Sequence, residues 1–550
     1  MRLGWLLLAL LPLLGEAAEA PLQLALRNNQ NNQGAELVQL DRSRVLSRGA
    51  LPADLQTPLG SLWKLFVYAY LADNRLAEVG YTCQGQARDE VYCCEPGQRI
   101  ERDQALVQSC GLYFEPQRLG VGAADWASYW QARHAPAWLR DLERLQPESR
   151  VAVAELLTAL AQLPAQEQAR RVLLDVLLNG PEGTALGALG GRLRVKTWSW
   201  LAEHDAEARQ GGFAGWLVDG TPLWVGGSGT GRSILNHYAE ALGTALPTSW
   251  PREPGSCVEV GLFARYPLRA VRRADSAEGV AEGVLRGRYE VTFVNGNRLA
   301  IDSAGELFLT RADGAPHLVA RLEREEYVAR VLDREAAARP VEAAKALAVT
   351  IRSYLLQNAE RRGDCLATAD SSASQRVAPR PASAEARRIV AWTTDLVLAG
   401  SPVGYHLEQP GPARLAWRDA VAQAGTGLRY DAILARAFPR ASLSRWDKPM
   451  AACQALPAAE DWLRARQREW RGRLDGEPGY GEPRQFTVCQ LASGRPHVDR
   501  ERRRIFVRGL FSLQDRLDLT HEYLHLAFEA HPNGQDEGYV ESLARHLLLE

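Results

Sequence analysis

The sequence predicts a multi-domain chain of α/β and α+β units, and three observations predict it. Its 550 residues exceed what one hydrophobic core ordinarily supports, so three domains are expected. With 46% hydrophobic and 24% charged residues, the composition is that of a globular protein. The pattern of elements changes near Cys257, from strands and helices over a mixed sheet to short strands followed by two helices, and a third, mainly helical unit closes the chain.

The first twenty residues, MRLGWLLLALLPLLGEAAEA, carry a basic residue, an apolar run from Trp5 to Leu14 and small residues from Ala17 to Ala20, which is the pattern of a cleavable signal peptide. No later stretch approaches the ~20 apolar residues that span a bilayer. The mature protein is therefore expected in the periplasm. Its formal charge of -1, from 65 basic and 66 acidic residues, provides no field to draw nucleic acid or anionic lipid. The eight cysteines make an even number in an oxidising compartment, where disulfides are the default. Two bridges are expected among Cys83, Cys93, Cys94 and Cys110, one between Cys257 and Cys365, and one between Cys453 and Cys489; the connectivity stays open.

After the leader, LQLALR and AELVQLD read as strands joined by an Asn/Gln/Gly-rich turn. SLWKLFVYAYLADNRL, VAVAELLTALAQL and AQEQARRVLLDVLL read as helices. RVKTWSW, GGFAGWLV and PLWVGG are strands, followed by the helix SILNHYAEALG. LPTSWPREPGS marks a boundary, so the first domain covers residues 21–246. The second, 257–425, holds the strands RYEVTFVNG, RLAIDSAG and ELFLTRA and two helices. The third is expected over 426–550.

Three constellations carry chemistry. In GSLWK, Ser61 and Lys64 stand one helical turn apart, where a neutral lysine can take the hydroxyl proton. That spacing also arises at ordinary helix starts, where serine caps. With YCCEPGQRIERDQALVQSCGLYF and VKTWSW following in order, residues 21–246 resemble the penicillin-recognising family of serine transpeptidases, carboxypeptidases and β-lactamases. The resemblance makes Ser61 the nucleophile and Lys64 its base, and places Ser109, Lys196 and Thr197 in substrate binding. Gly111 and Trp198 depart from the family's second and third motifs. The Trp198 ring is expected where the family leaves room for an acyl chain along the strand edge.

The second is LEREEYVARVLDREAAARPVEAAKALAVTIRSYLL, by pattern an amphipathic helical hairpin. With the later DSSASQRV, it resembles the stage II sporulation protein D family of lytic transglycosylases. The resemblance makes Glu335 the general acid, a role that needs a carboxyl group kept protonated in a poorly solvated cleft. Ala373 and Ser374 stand where that family often has His and Cys, so no metal is expected there.

The third is LDLTHEYLHLAFEAHPNGQDEGYVES. Ser512, with Asp515 three residues on, caps a helix whose buried stripe is Leu517, Leu524 and Phe528. His521 and His525 lie one turn apart on one side, the arrangement two imidazoles need to share Zn²⁺, with Glu522 as proton acceptor. HPNG ends the helix, and DEGYVESLARHLLLE returns either Glu537 or Glu541 as a third, oxygen ligand. The stretch resembles the gluzincin metallopeptidases, and the comparison favours Glu537, with Glu541 the alternative or a partner holding an imidazole.

The whole order resembles the YfaQ-type predicted secreted bacterial proteins, which implies an alpha-2-macroglobulin-like partner. The expected function is periplasmic: acting on or binding peptidoglycan, with a C-terminal zinc peptidase module. The alternative is a non-catalytic scaffold of degenerate murein-enzyme domains.

Overall fold

The computed structural model describes residues 20–27, 34–77, 79–85, 93–94, 96–179, 184–201, 209–251, 256–276, 279–449, 453–491, 496–500 and 503–549. The leader and the first turn, 28–33, lie outside them. Six strands form the first sheet: β1 (Leu22–Arg27), β2 (Ala35–Leu40), β3 (Val45–Ala50), β4 (Leu193–Trp200), β5 (Gln210–Leu217) and β6 (Pro222–Ser228). Their order is β3-β2-β1-β6-β5-β4, antiparallel at every pair and not mixed as expected. The reason is connectivity: two runs of three sequential strands each fold back on themselves, and the runs join through β1 and β6. The helix α1 (Trp63–Asp73) is buried on every side from Trp63 to Leu71, which its nearly continuous apolar sequence requires.

The second lobe is a seven-stranded sheet built from β7 (Cys257–Leu262), β8 (Leu268–Arg273), β9 (Gly283–Phe293), β10 (Arg298–Ala312) and β11 (Ala315–Leu322), then β12 (Glu360–Arg362) and β13 (Cys365–Ala369). It is covered by α2 (Arg324–Glu335), α3 (Val341–Asn358) and α4 (Ala384–Trp392). RLAIDSAG and ELFLTRA, expected as two strands, form the single strand β10. Gly305, at φ 122°, lets the chain bend without stopping, opposite a register shift between Leu285 and Gly287 of β9.

One core runs unbroken through both lobes, from Leu22 to Leu443. The helix Tyr430–Ala437 belongs to it, with the Tyr430 hydroxyl donating to the Leu186 carbonyl at 3.0 Å. The expected division at Gly425 therefore falls inside this core. Between the lobes lies a buried ion network. Asp395 accepts from Arg194 of β4 at 2.8 Å and from Arg324 of α2 at 2.5 Å. Glu325 accepts from Arg324 at 2.9 Å and from Arg352 of α3 at 2.5 Å.

The second core runs from Ala459 to Leu547. Its strands β14 (Gln454–Ala455), β15 (Thr487–Gln490), β16 (His497–Asp499) and β17 (Arg504–Val507) are ordered β14-β15-β17-β16. Its helices are α5 (Pro457–Leu474), α6 (Leu513–Ala527) and α7 (Glu537–Leu549). The unit is thus α+β where a mainly helical one was expected. Arg504 pins it to the first core, donating to the Ser442 hydroxyl at 3.0 Å and to the Ala441 carbonyl. The disulfides are Cys83–Cys94, Cys93–Cys110, Cys257–Cys365 and Cys453–Cys489, which agrees with the expected grouping and resolves the first cluster.

Candidate functional site

The C-terminal constellation converges. Helix α6 starts on a capping box in which the Asp515 N–H donates to Ser512 Oγ and the Ser512 N–H to Asp515 Oδ2. The cap sets the phase that brings His521 and His525 onto one side. A 3₁₀ turn, Pro532–Gln535, reverses the chain, and α7 begins at Glu537 facing them. His521 Nε2 lies 3.0 Å from His525 Nε2 and 3.2 Å from Glu537 Oε2, and His525 Nε2 lies 3.6 Å from that oxygen.

The other ring nitrogens are occupied. His525 Nδ1–H donates to the Gly534 carbonyl at 2.9 Å, and His521 Nδ1 lies 3.1 Å from Glu541 Oε2. Both Nε2 atoms are thereby aimed at one point. The donor set suits zinc, whose tetrahedral ligands at about 2.0–2.1 Å from the ion stand roughly 3.3 Å from one another. Of the two candidate carboxylates, Glu537 reaches the shared point and Glu541 stands behind a ring. Glu541 is itself held by Arg545 at 2.7 Å, which with His521 keeps its carboxyl below the usual range.

Glu522 is buried beside this point. Burial first, then Glu537 and Asp518, push its carboxyl up to about 7, against the opposing pull of Arg500. Burial likewise lowers His525. Arg500 donates to the same Gly534 carbonyl, at 2.8 Å. Neither Gly534 nor Arg500 was singled out from the sequence, where HPNG signals only a helix stop.

The serine constellation also assembles. Ser61 lies in the 3₁₀ turn Gly60–Leu62 and caps nothing with its side chain. Lys64 Nζ donates to Ser61 Oγ at 3.3 Å, to Ser109 Oγ at 3.3 Å and to the Ser109 carbonyl at 2.6 Å. Ser109 offers both oxygens because it ends a helix in the left-handed conformation, at φ 62°. A methyl group on Gly111 would touch Lys64 Nζ at 3.7 Å, so the glycine leaves open space beside the amine.

Trp198 corrects the expectation. Its ring is not along the edge of β4 but turned into the core, stacked on Trp224 with centroids 6.3 Å apart. Two strands of small neighbours, with Gly212 directly opposite Trp198, make the space. Lys196 is fully buried and donates to its neighbour's carbonyl, Thr197 O, at 2.9 Å. Burial, with Lys64 and Arg232 nearby, holds its amine well below the usual range. A lysine so placed cannot greet an incoming carboxylate. A fluorescent penicillin is therefore expected to leave Ser61 unlabelled; rapid stoichiometric labelling on a gel would overturn this.

Glu335 departs from its expected setting. A proton donor needs a free carboxyl oxygen, and both of its oxygens are engaged by Arg376: the backbone N–H donates to Oε1 at 2.7 Å and the guanidinium to Oε2 at 2.9 Å. The pairing spans 41 residues and was invisible in local pattern. Sacculi incubated with the protein are expected to yield no anhydro-ended muropeptides beyond a Glu335→Gln control, as measured by mass spectrometry.

Comparison with known proteins decides the family. The YfaQ protein of Escherichia coli (strain K12) is 55% identical over 550 residues, covering 100% of this chain and 99% of its own. The chain belongs to the YfaQ family. Within this YfaQ-family chain, residues 85–207 and 413–533 match a family described as "Predicted secreted protein (DUF2300)", and residues 312–399 match one described as "Stage II sporulation protein". The chain is accordingly a secreted protein, and among the described residues no helix is long and apolar enough to cross a membrane.

Two solved structures are similar over part of it. L2 complexed with relebactam is 15% identical, covering 42% of this chain and 92% of its own at a TM-score of 0.26. An ancestral class A β-lactamase is 14% identical, covering 41% and 94% at 0.27. At scores this low, the first lobe of the YfaQ-family chain is described by its own strand order.

Proposed function

We propose that this protein is an exported, peptidoglycan-associated factor whose first two lobes hold murein and whose C-terminal unit is a zinc-dependent peptidase. The observation that carries the reading is the convergence of His521 Nε2, His525 Nε2 and a Glu537 oxygen, all within 4.8 Å of one another, with the outer ring nitrogens tied down. His521, His525 and Glu537 would hold the zinc, which would supply Lewis acidity toward a peptide carbonyl. Glu522, next to His521 and buried beside the shared point, would take up and return a proton there. Gly534 and Glu541 fix the two rings, and Arg545 fixes Glu541.

A scaffold role for the first two lobes is favoured by the locked Glu335 and the sequestered Lys196. The stage II sporulation match in the second lobe and the serine-enzyme motifs in the first support peptidoglycan as the material held. An alpha-2-macroglobulin-like protein is the proposed partner. The deciding measurement is metal content: about one zinc per chain, lost in His521→Ala and retained in Glu522→Gln, which abolishes hydrolysis. Native protein without zinc would sink the peptidase reading.

A further inference from the structure

An open cleft of about 740 Å³ lies in the second lobe, between the bend of β10 at Gly305, the end of β11 and the helices α2 and α4, with Trp250 among its lining residues. That volume falls within the roughly 300–1,000 Å³ of small-molecule sites. It is not the Glu335 site. Glu335 stands nine positions after Glu326, which lines the cleft, and at about 100° per residue that puts the two on opposite sides of α2.

The floor is a finished ladder of charges. Arg330, 3% exposed, donates to Glu306 at 3.1 Å and to Glu326 at 2.9 Å. The other oxygen of Glu326 accepts from Arg387 Nε at 2.8 Å. These carboxylates are satisfied and rigid, so the floor does not invite a cation. What faces outward is mainly basic, with the exposed Glu323 as the one carboxylate among the outward lining residues described. Arg387 spends only Nε on Glu326, and its terminal nitrogens have no partner among the described residues. Arg388 beside it, exposed, makes no ion pair among them at all. The Trp250 ring lies 5.8 Å from the Arg387 guanidinium carbon.

We propose that this cleft binds a carboxylate-bearing saccharide. The unpaired Arg388 guanidinium and the outer nitrogens of Arg387 match a planar carboxylate, and an aromatic face beside them matches the apolar face of a sugar ring. The acidic floor disfavours a polyphosphate, whose several charges would meet Glu306 and Glu326. The inference rests on the peptidoglycan reading for the choice of saccharide and is independent of any bond cleavage.

The test is calorimetric titration of the full-length protein with a disaccharide-peptide muropeptide and with a neutral N-acetylglucosamine oligomer, alongside retention on intact sacculi. The muropeptide is expected to bind roughly tenfold or more tighter than the neutral oligomer, and Arg388→Gln and Trp250→Leu each to weaken it by about tenfold, the size of one lost charged or stacked contact. Arg388→Gln changes an exposed side chain and keeps the test valid should Trp250→Leu misfold. Muropeptide binding indifferent to Arg388→Gln, or equal affinity for the neutral oligomer, would overturn the cleft assignment while sacculus retention left the peptidoglycan reading standing. Absence of both muropeptide binding and sacculus retention would remove the two together.

Discussion

Asp395→Ala is expected to lower the stability of the first core by about 3–5 kcal/mol, the cost of stripping one partner from a buried ion pair. Asp395 joins the network from both sides: Arg194 of the first lobe and Arg324 of the second meet on its two oxygens. Both arginines are 5% exposed or less, so neither can turn to water when the carboxylate goes. Because the core is continuous across the lobes, they should unfold in one transition, and that whole transition should move to lower urea. Asp302→Ala provides the contrast. Its pairing with Arg288 is exposed on both sides, 70% and 80%, and its loss should cost less than about 1 kcal/mol. Equal midpoints for Asp395→Ala and the native protein would mean that the network adds nothing to lobe cohesion.

Chelation should act on the other core alone. A ligand present at a thousand times its dissociation constant stabilises the state it binds by about 4 kcal/mol, and that is the loss expected in the C-terminal unit when zinc is withdrawn. His521, His525 and Glu537 come from two helices of the second core, α6 and α7, which zinc would cross-link. Thermal scans should show two transitions, with chelator shifting only the one that reports residues 457–549. His525→Ala should sit where the chelated native protein sits and ignore further chelator. A scan in which chelator leaves both transitions in place, at measured full zinc loss, would count against structural coupling between the ion and this unit.

What the sequence made legible was local. The Ser512/Asp515 cap needs residues three apart, and the two imidazoles need one helical turn, so both follow from spacing. Cysteine grouping was legible because pairs cluster along the chain or flank one domain, as Cys257 and Cys365 do on adjacent parallel strands. The choice between Glu537 and Glu541 was not settled by spacing, since both lie one turn apart on the side of α7 that faces α6; the turn at Pro532–Gln535 sets which one meets the two Nε2 atoms.

Long-range facts were hidden. The direction of Trp198 depends on Trp224 across a strand whose facing positions are Gly212 and Ala214, and the engagement of Glu335 depends on a loop that the fold returns to the end of α2. The division of cores was hidden for a related reason. Tyr430, Ile433 and Leu434 read as an ordinary apolar stripe, and only the partner surface near Leu186 tells which core they join.

The attachment made by Arg504 at Ser442 and Ala441 has a geometric corollary. A hydrolytic centre anchored to the body that grips a repeating polymer works at a set reach, as a jig fixes the distance between clamp and blade. Cuts made by such a protein would fall at a regular interval from the gripped unit, and a flexible spacer inserted after residue 446, combined with Arg504→Ala to release that contact, would scatter them.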